Sequence, residues 1–166
     1  MTIVVSILVL LPWLAVGFLS KHKLRQFISA AFFGSLINIA AFQFGDYMGW
    51  WTTYQSFPPL GNIPTFVFGF SPVVALFIFC FAYPNLWLFL GANLVLDALQ
   101  AYIVGPLVFE KLGFYEMTGS SDTRLYLVLI SLVPLIYVYQ LWYDNSRYTS
   151  DEIAGFPRLT GYRKAR

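Results

Sequence analysis

Apolar residues fill most of this chain in runs of about 18 to 24 positions, separated by short polar stretches. A helix of about 20 such residues crosses a bilayer, so the pattern predicts five spans, at about 2–19, 26–48, 63–82, 86–109 and 124–143. The expected fold is therefore all-α, an integral membrane bundle of five transmembrane helices over residues 1–143, followed by a polar, basic tail over 144–166. Phe66, Phe68, Phe70, Phe77, Phe79 and Phe81 alternate with non-aromatic residues in a way that resembles a strand. The residues between them are apolar too, so the polar interior of a barrel is missing and a helix is the expected element. Pro12 and Gly17 interrupt the first run, and Ala15-Val16-Gly17 has the small-x-small form of a processing site. A cleaved signal peptide is thus the alternative to a retained first helix. No basic segment precedes the run, and Lys21-His22-Lys23-Leu24-Arg25 follows it, expected as a short solvated loop.

Polar residues inside these runs are the informative exceptions. Asn93, Asp97 and Gln100 stand at i, i+4 and i+7 of the fourth run, hence on one side of a helix, with Asp97 near the membrane midplane. An ionisable group at that depth costs roughly 2.5–3.5 kcal/mol on insertion scales, so it turns toward protein and marks a functional site by default. Gly34, Ser35 and Asn38 give the second run a small and polar stripe suited to close helix packing. Pro134, Tyr137 and Gln140 share a side of the fifth run. These spacings nominate Asp97, Asn93, Gln100, Asn38 and Tyr137 as the lining of a midplane cavity. Pro72 removes a helical N–H and leaves the Phe68 carbonyl in need of another partner, such as Ser71, a neighbouring helix or water, and Gly105-Pro106 weakens the fourth helix and frees the Tyr102 carbonyl. Tyr83-Pro84-Asn85 is long enough only for a tight turn, so the third and fourth helices are expected as an antiparallel hairpin. The segment from Gly49 to Asn62, with Trp50, Trp51 and Tyr54 and no Lys or Arg, is expected as an interfacial anchor.

Composition agrees with the pattern: 58% of the 166 residues are hydrophobic and 11% charged, against about a quarter charged in soluble domains. Eight of the ten basic residues fall in the 20–25 segment and the tail, which an odd number of spans places on one face. The positive-inside rule then sets the amino end outside and the carboxyl end in the cytoplasm, in a plasma membrane. A lone cysteine, Cys80, and a lone histidine, His22, offer no disulfide and no metal site. No Walker loop, GxGxxG, HExxH or GxSxG is present, so no cofactor is expected, and nothing in the charge pattern suits nucleic acid.

The sequence Phe66-x-Phe68-x-Phe70-x-Pro72, then Tyr83-Pro84, then Asp97 within the next helix resembles an uncharacterised family of small multi-pass membrane proteins of spore-forming bacteria. The resemblance covers the middle half of the chain and implies a helical bundle with no established activity. Where that family carries two further acidic residues, this chain has Gly69 and Gln100.

Three functions fit these residues. The first is a membrane protein whose midplane cavity binds or carries a small or lipophilic molecule at Asp97. The second is a structural or accessory subunit, using the polar face as a helix–helix interface with a second copy or a partner membrane protein. The third is an intramembrane enzyme acting on a lipid or isoprenoid. Besides membrane lipids, then, the expected partners are membrane proteins. No fixed cation is available at the depth of Asp97, so a proton or a cationic ligand is the cheapest companion for its carboxyl group.

Overall fold

The computed structural model describes residues 10–54, 56–57, 60–64, 66–83 and 85–153. Residues 10–16 form a short helix, α1, whose Trp13 stacks on Phe32 at 6.0 Å between ring centres. The rest of the expected first span, residues 2–9, lies outside the described residues, as do Pro58, Pro59, Pro84 and the tail beyond 153.

α2 runs from Lys21 to Tyr47 and begins five residues before the expected span. The basic cluster is its first turn and not a loop. Ser20 caps it, its hydroxyl accepting the Lys23 N–H at 3.4 Å, and so satisfies one of the donors that a helix start leaves free. The helical start also aims Lys23 across the bundle. Its Nζ donates to the Cys80 carbonyl at 2.8 Å, in the last turn of the next helix, where unpaired carbonyls and the helix dipole favour a cation.

α3 spans Phe66–Ala82. Residues 63 and 64, expected in its first turn, belong instead to the short strand β3 (Leu60–Pro64), which pairs with β2 (Ser56–Phe57). Proline is acceptable there because an edge position needs no N–H. α4 (Leu86–Leu99) is capped by Asn85, whose side chain accepts the Leu88 N–H at 3.2 Å. It packs on α3 as the expected hairpin. Its axis continues as a π-helix from Gln100 to Glu110, where the pattern predicted only a weakened α-helix. In the i→i−5 pattern of a π-helix, the N–H missing from Pro106 is the one that would reach Ala101, not Tyr102. α5 (Asp122–Ile153) carries on ten residues past Tyr143, so the start of the expected tail is helical.

At one end of the bundle the connections are joined. β1 (Trp51–Thr53) pairs antiparallel with β4 (Tyr115–Met117), Thr52 facing Glu116. This sheet links the loop after α2 to the loop before α5, where the pattern predicted an interfacial anchor and a polar loop. Gly49 and Gly113 turn the chain into the two strands with φ of 68° and 71°, values that side chains rarely adopt. Trp51 is 1% exposed, and its indole N–H donates to the Phe42 carbonyl at 3.1 Å. Above it the Arg124 guanidinium lies 5.2 Å from the Trp50 ring centre. Tyr54 donates to Glu116 at 3.0 Å, and that hydrogen bond, with the charge of the carboxylate, holds the Tyr54 phenol above its usual pKa.

Two clusters fill the interior. One, beneath the sheet, gathers Phe42, Trp51, Phe109, Phe114 and Tyr115. The other, toward the opposite end, is built on Phe27, Phe79, Phe89 and Tyr137. Large apolar side chains on the outside, among them Leu36, Val95, Leu135 and Val138, are more than half exposed. A soluble protein would hide them, and here they form the surface offered to lipid. The helices Lys21–Tyr47, Leu86–Glu110 and Asp122–Ser146 are each long and apolar enough to cross a membrane. The chain is accordingly a mostly helical membrane protein.

Candidate functional site

Between the two clusters lies a cavity of about 60 Å³ walled by α2, α3, α4 and α5. Four of the five residues nominated by spacing line it: Asn38, Asn93, Asp97 and Gln100. Asp97 is the twelfth of the 25 residues from Leu86 to Glu110, close to half-depth. The fifth, Tyr137, is not among the lining residues. Its ring packs 5.0 Å from Phe89 and 5.7 Å from Tyr83, in the aromatic cluster below. α5 turns Leu129, Leu132, Val133 and Ile136 to the cavity instead, an entirely apolar wall.

Each polar wall position has a local reason. Gly34 lets α5 approach α2 closely, because a Cβ there would lie only 3.2 Å from the end of Ile136. One turn on, Asn38 reaches α3 and donates through Nδ2 to the Ser71 hydroxyl at 3.3 Å. Ser71 stands directly before Pro72, whose missing N–H leaves the Phe68 carbonyl without its helical donor. Asn93 donates back to the Phe89 carbonyl on its own helix at 2.7 Å. Both amide donors are therefore turned away from Asp97. One carboxylate oxygen of Asp97, Oδ2, is buried with no hydrogen-bond partner. Among the described residues neither the Asn38 or Asn93 Oδ1 nor the Gln100 side chain makes a hydrogen bond. The cavity is thus lined by side-chain oxygens of Asn38, Asn93, Asp97 and Gln100 that accept no hydrogen bond.

Gln100, where the α-helix gives way to the π-helix, ties this wall to the capped end. Five residues further, at Gly105, an added Cβ would collide with the Tyr115 hydroxyl and press on the Gln100 carbonyl. The strand β4 thus touches the π-helix at Gly105, one turn beyond Gln100. π-Helical turns recur at functional sites because they place side chains outside the α-helical pattern. The Gly105-Pro106 pair was the sequence signal for it. Burial keeps the Tyr115 phenol well above its usual pKa, so it contacts this backbone as a neutral hydroxyl.

A second polar network lies away from the cavity. Gln140, fully buried, donates to Asp144 at 2.8 Å, and Tyr83 donates to the same carboxylate at 2.7 Å. Ser29 and Tyr139 share a 2.7 Å hydrogen bond nearby. These contacts join α2, the α3–α4 turn and α5 at the Lys23 end as structural cross-links, with the Gln140 Oε1 left buried and without a hydrogen bond. No group of three or more His, Cys, Asp or Glu residues gathers as a metal site among the described residues.

No family model, curated protein or solved structure matches the chain. Residue roles rest on geometry and chemistry alone.

Proposed function

We propose that the protein is a multi-pass membrane protein that binds or carries a small solute in the cavity at Asp97. The observation that carries this reading is the buried, unpartnered Oδ2 facing a cavity lined by acceptors. Leaving a buried polar atom unpaired costs about 1–3 kcal/mol, and more for a charged one. Such a cost persists where a ligand repays it. A cavity of about 60 Å³ has room for a few waters, at about 10–15 Å³ of such volume each, and lies far below the about 300–1,000 Å³ of organic-ligand pockets. A small polar solute is favoured over a lipophilic one.

If Asp97 served as helix glue, Asp97→Leu would lower stability and Asp97→Asn would preserve it. For a binding residue the expectation for Asp97→Leu reverses. Asp97→Leu, purified in choline chloride without other salt, is expected to unfold later than the parent by about 1–3 kcal/mol, with Asp97→Asn close to the parent. A destabilised Asp97→Leu would discard the binding reading in favour of the accessory subunit.

The accompanying topology has five spans, with the sheet-capped end outside and the Lys23 end in the cytoplasm. Lys21, Lys23 and Arg25 at the start of α2 and Arg147 toward the end of α5 support it. Single cysteines at Ser56, Ser120 and Ser150 in a Cys80→Ala background are expected to label from outside, outside and inside, respectively. Labelling of positions 120 and 150 from one side would overturn the arrangement.

A further inference from the structure

We propose that the cavity is a binding site for one monovalent alkali cation, held by the Asp97 carboxylate and the side-chain oxygens of Asn38, Ser71, Asn93 and Gln100. This rests on the cavity being a solute site and names the solute. Asn38 and Asn93 direct an amide N–H elsewhere, to Ser71 and to the Phe89 carbonyl. Their amide oxygens accept no hydrogen bond, and they line the same cavity as a carboxylate that has no donor. Hard cations are bound by such oxygen sets.

Charge selects the valence. Among the described residues Asp97 is the only charged or titratable side chain lining the cavity, since α2 contributes Asn38 and Phe42 there, α3 contributes Ser71, and the α5 wall is apolar. One carboxylate neutralises a monovalent ion at bilayer depth. A divalent ion would leave a net positive charge in a medium where that is very costly. A proton alone would neutralise the carboxyl but leave the amide oxygens unmatched, whereas a metal cation engages them together. Size admits such an ion, because about 60 Å³ holds an alkali cation with a few waters.

The test is equilibrium binding of radioactive ²²Na⁺ to the full-length protein in detergent, at constant ionic strength set with choline chloride. The expected result is about one displaceable sodium per chain, removed by unlabelled NaCl and by acid but not by choline. Acid competes because the proton and the metal share the carboxylate. Asp97→Asn, verified as folded by size exclusion, is expected to weaken binding by about 10- to 100-fold, the usual effect of losing a charged partner, and Ser71→Ala by a few-fold. No displaceable sodium on folded parent protein would overturn the proposal, as would undiminished binding by Asp97→Asn. If sodium fails while Asp97→Leu is stabilised, the cation is wrong and the solute site stands. If Asp97→Leu is destabilised, both fall.

Discussion

Trp51→Ala is expected to cost about 3–5 kcal/mol, as full removal of a buried tryptophan does in a water-facing core. The ring is 1% exposed, packs tilted against Phe42 at 5.3 Å and edge-on against Trp50 at 5.9 Å, and closes the end of α2 through its indole hydrogen bond to Phe42. Its removal empties the centre of the cap and leaves that sheet without the side chain that fixes it to the bundle. Gly45 is the counterpart. A Cβ there would overlap the Trp51 ring, so Gly45→Ala forces the ring out or bends the last turn of α2. Gly45→Ala alone should be destabilising by about 1–3 kcal/mol and should cost much less once Trp51 is already alanine, a coupling that a double-mutant cycle reads directly. Cys80 provides the readout, because the only thiol of the chain is buried and becomes reactive on unfolding. Heating with a thiol-reactive dye should place the Trp51→Ala midpoint roughly 6–20 °C below the parent. An unchanged midpoint would mean that the cap is not part of the cooperative structure.

The cap also shows where the sequence pattern stops being sufficient. Asn93, Asp97 and Gln100 were recognisable because a helix repeats every 3.6 residues, and spacing alone puts them on one face. Strand pairing between Trp51–Thr53 and Tyr115–Met117 joins residues more than 60 apart, and three-residue strands leave no periodicity to find. Ser71 was visible only as a possible partner for a carbonyl freed by Pro72. That Asn38 bonds to it depends on the rotation of α3, which distant packing sets. Tyr137 failed for the same reason. It shares a helix face with Gln140, yet α5 turns that face toward the Tyr83 and Asp144 network and presents Val133 and Ile136 to the cavity. Helix starts depend on single caps: Ser20 draws Lys21 to Arg25 into α2, although a cluster of cations after an apolar run reads as a loop.

Phe89→Ala is expected to disturb the site most among changes that leave its polar residues intact. Phe89 is the one fully buried residue of α4, its ring 4.7 Å from Phe79 and 5.0 Å from Tyr137. The rest of that helix shows much of its surface outward, with Leu88, Val95 and Leu99 exposed. α4 is therefore seated largely by one side chain, a single turn below Asn93, whose amide bonds the Phe89 carbonyl. Lipid tails are as apolar as the protein interior, so the transfer part of the usual penalty is small at this depth. The cavity part remains, and a cost of about 2–3 kcal/mol is expected for Phe89→Ala, with Phe89→Leu recovering most of it. The consequence for Asp97 is separable from stability. In the parent, a lipid-soluble carbodiimide is expected to modify Asp97 and a water-soluble one to leave it untouched, because α2, α3 and α5 close the cavity around it. With α4 loosened in Phe89→Ala, both reagents should react, below the unfolding temperature and with the Cys80 thiol still protected. Protection of Asp97 from the water-soluble reagent in that variant would show that the depth of the carboxyl is set by the π-helical segment and its contact with Tyr115, and not by the Phe89 anchor.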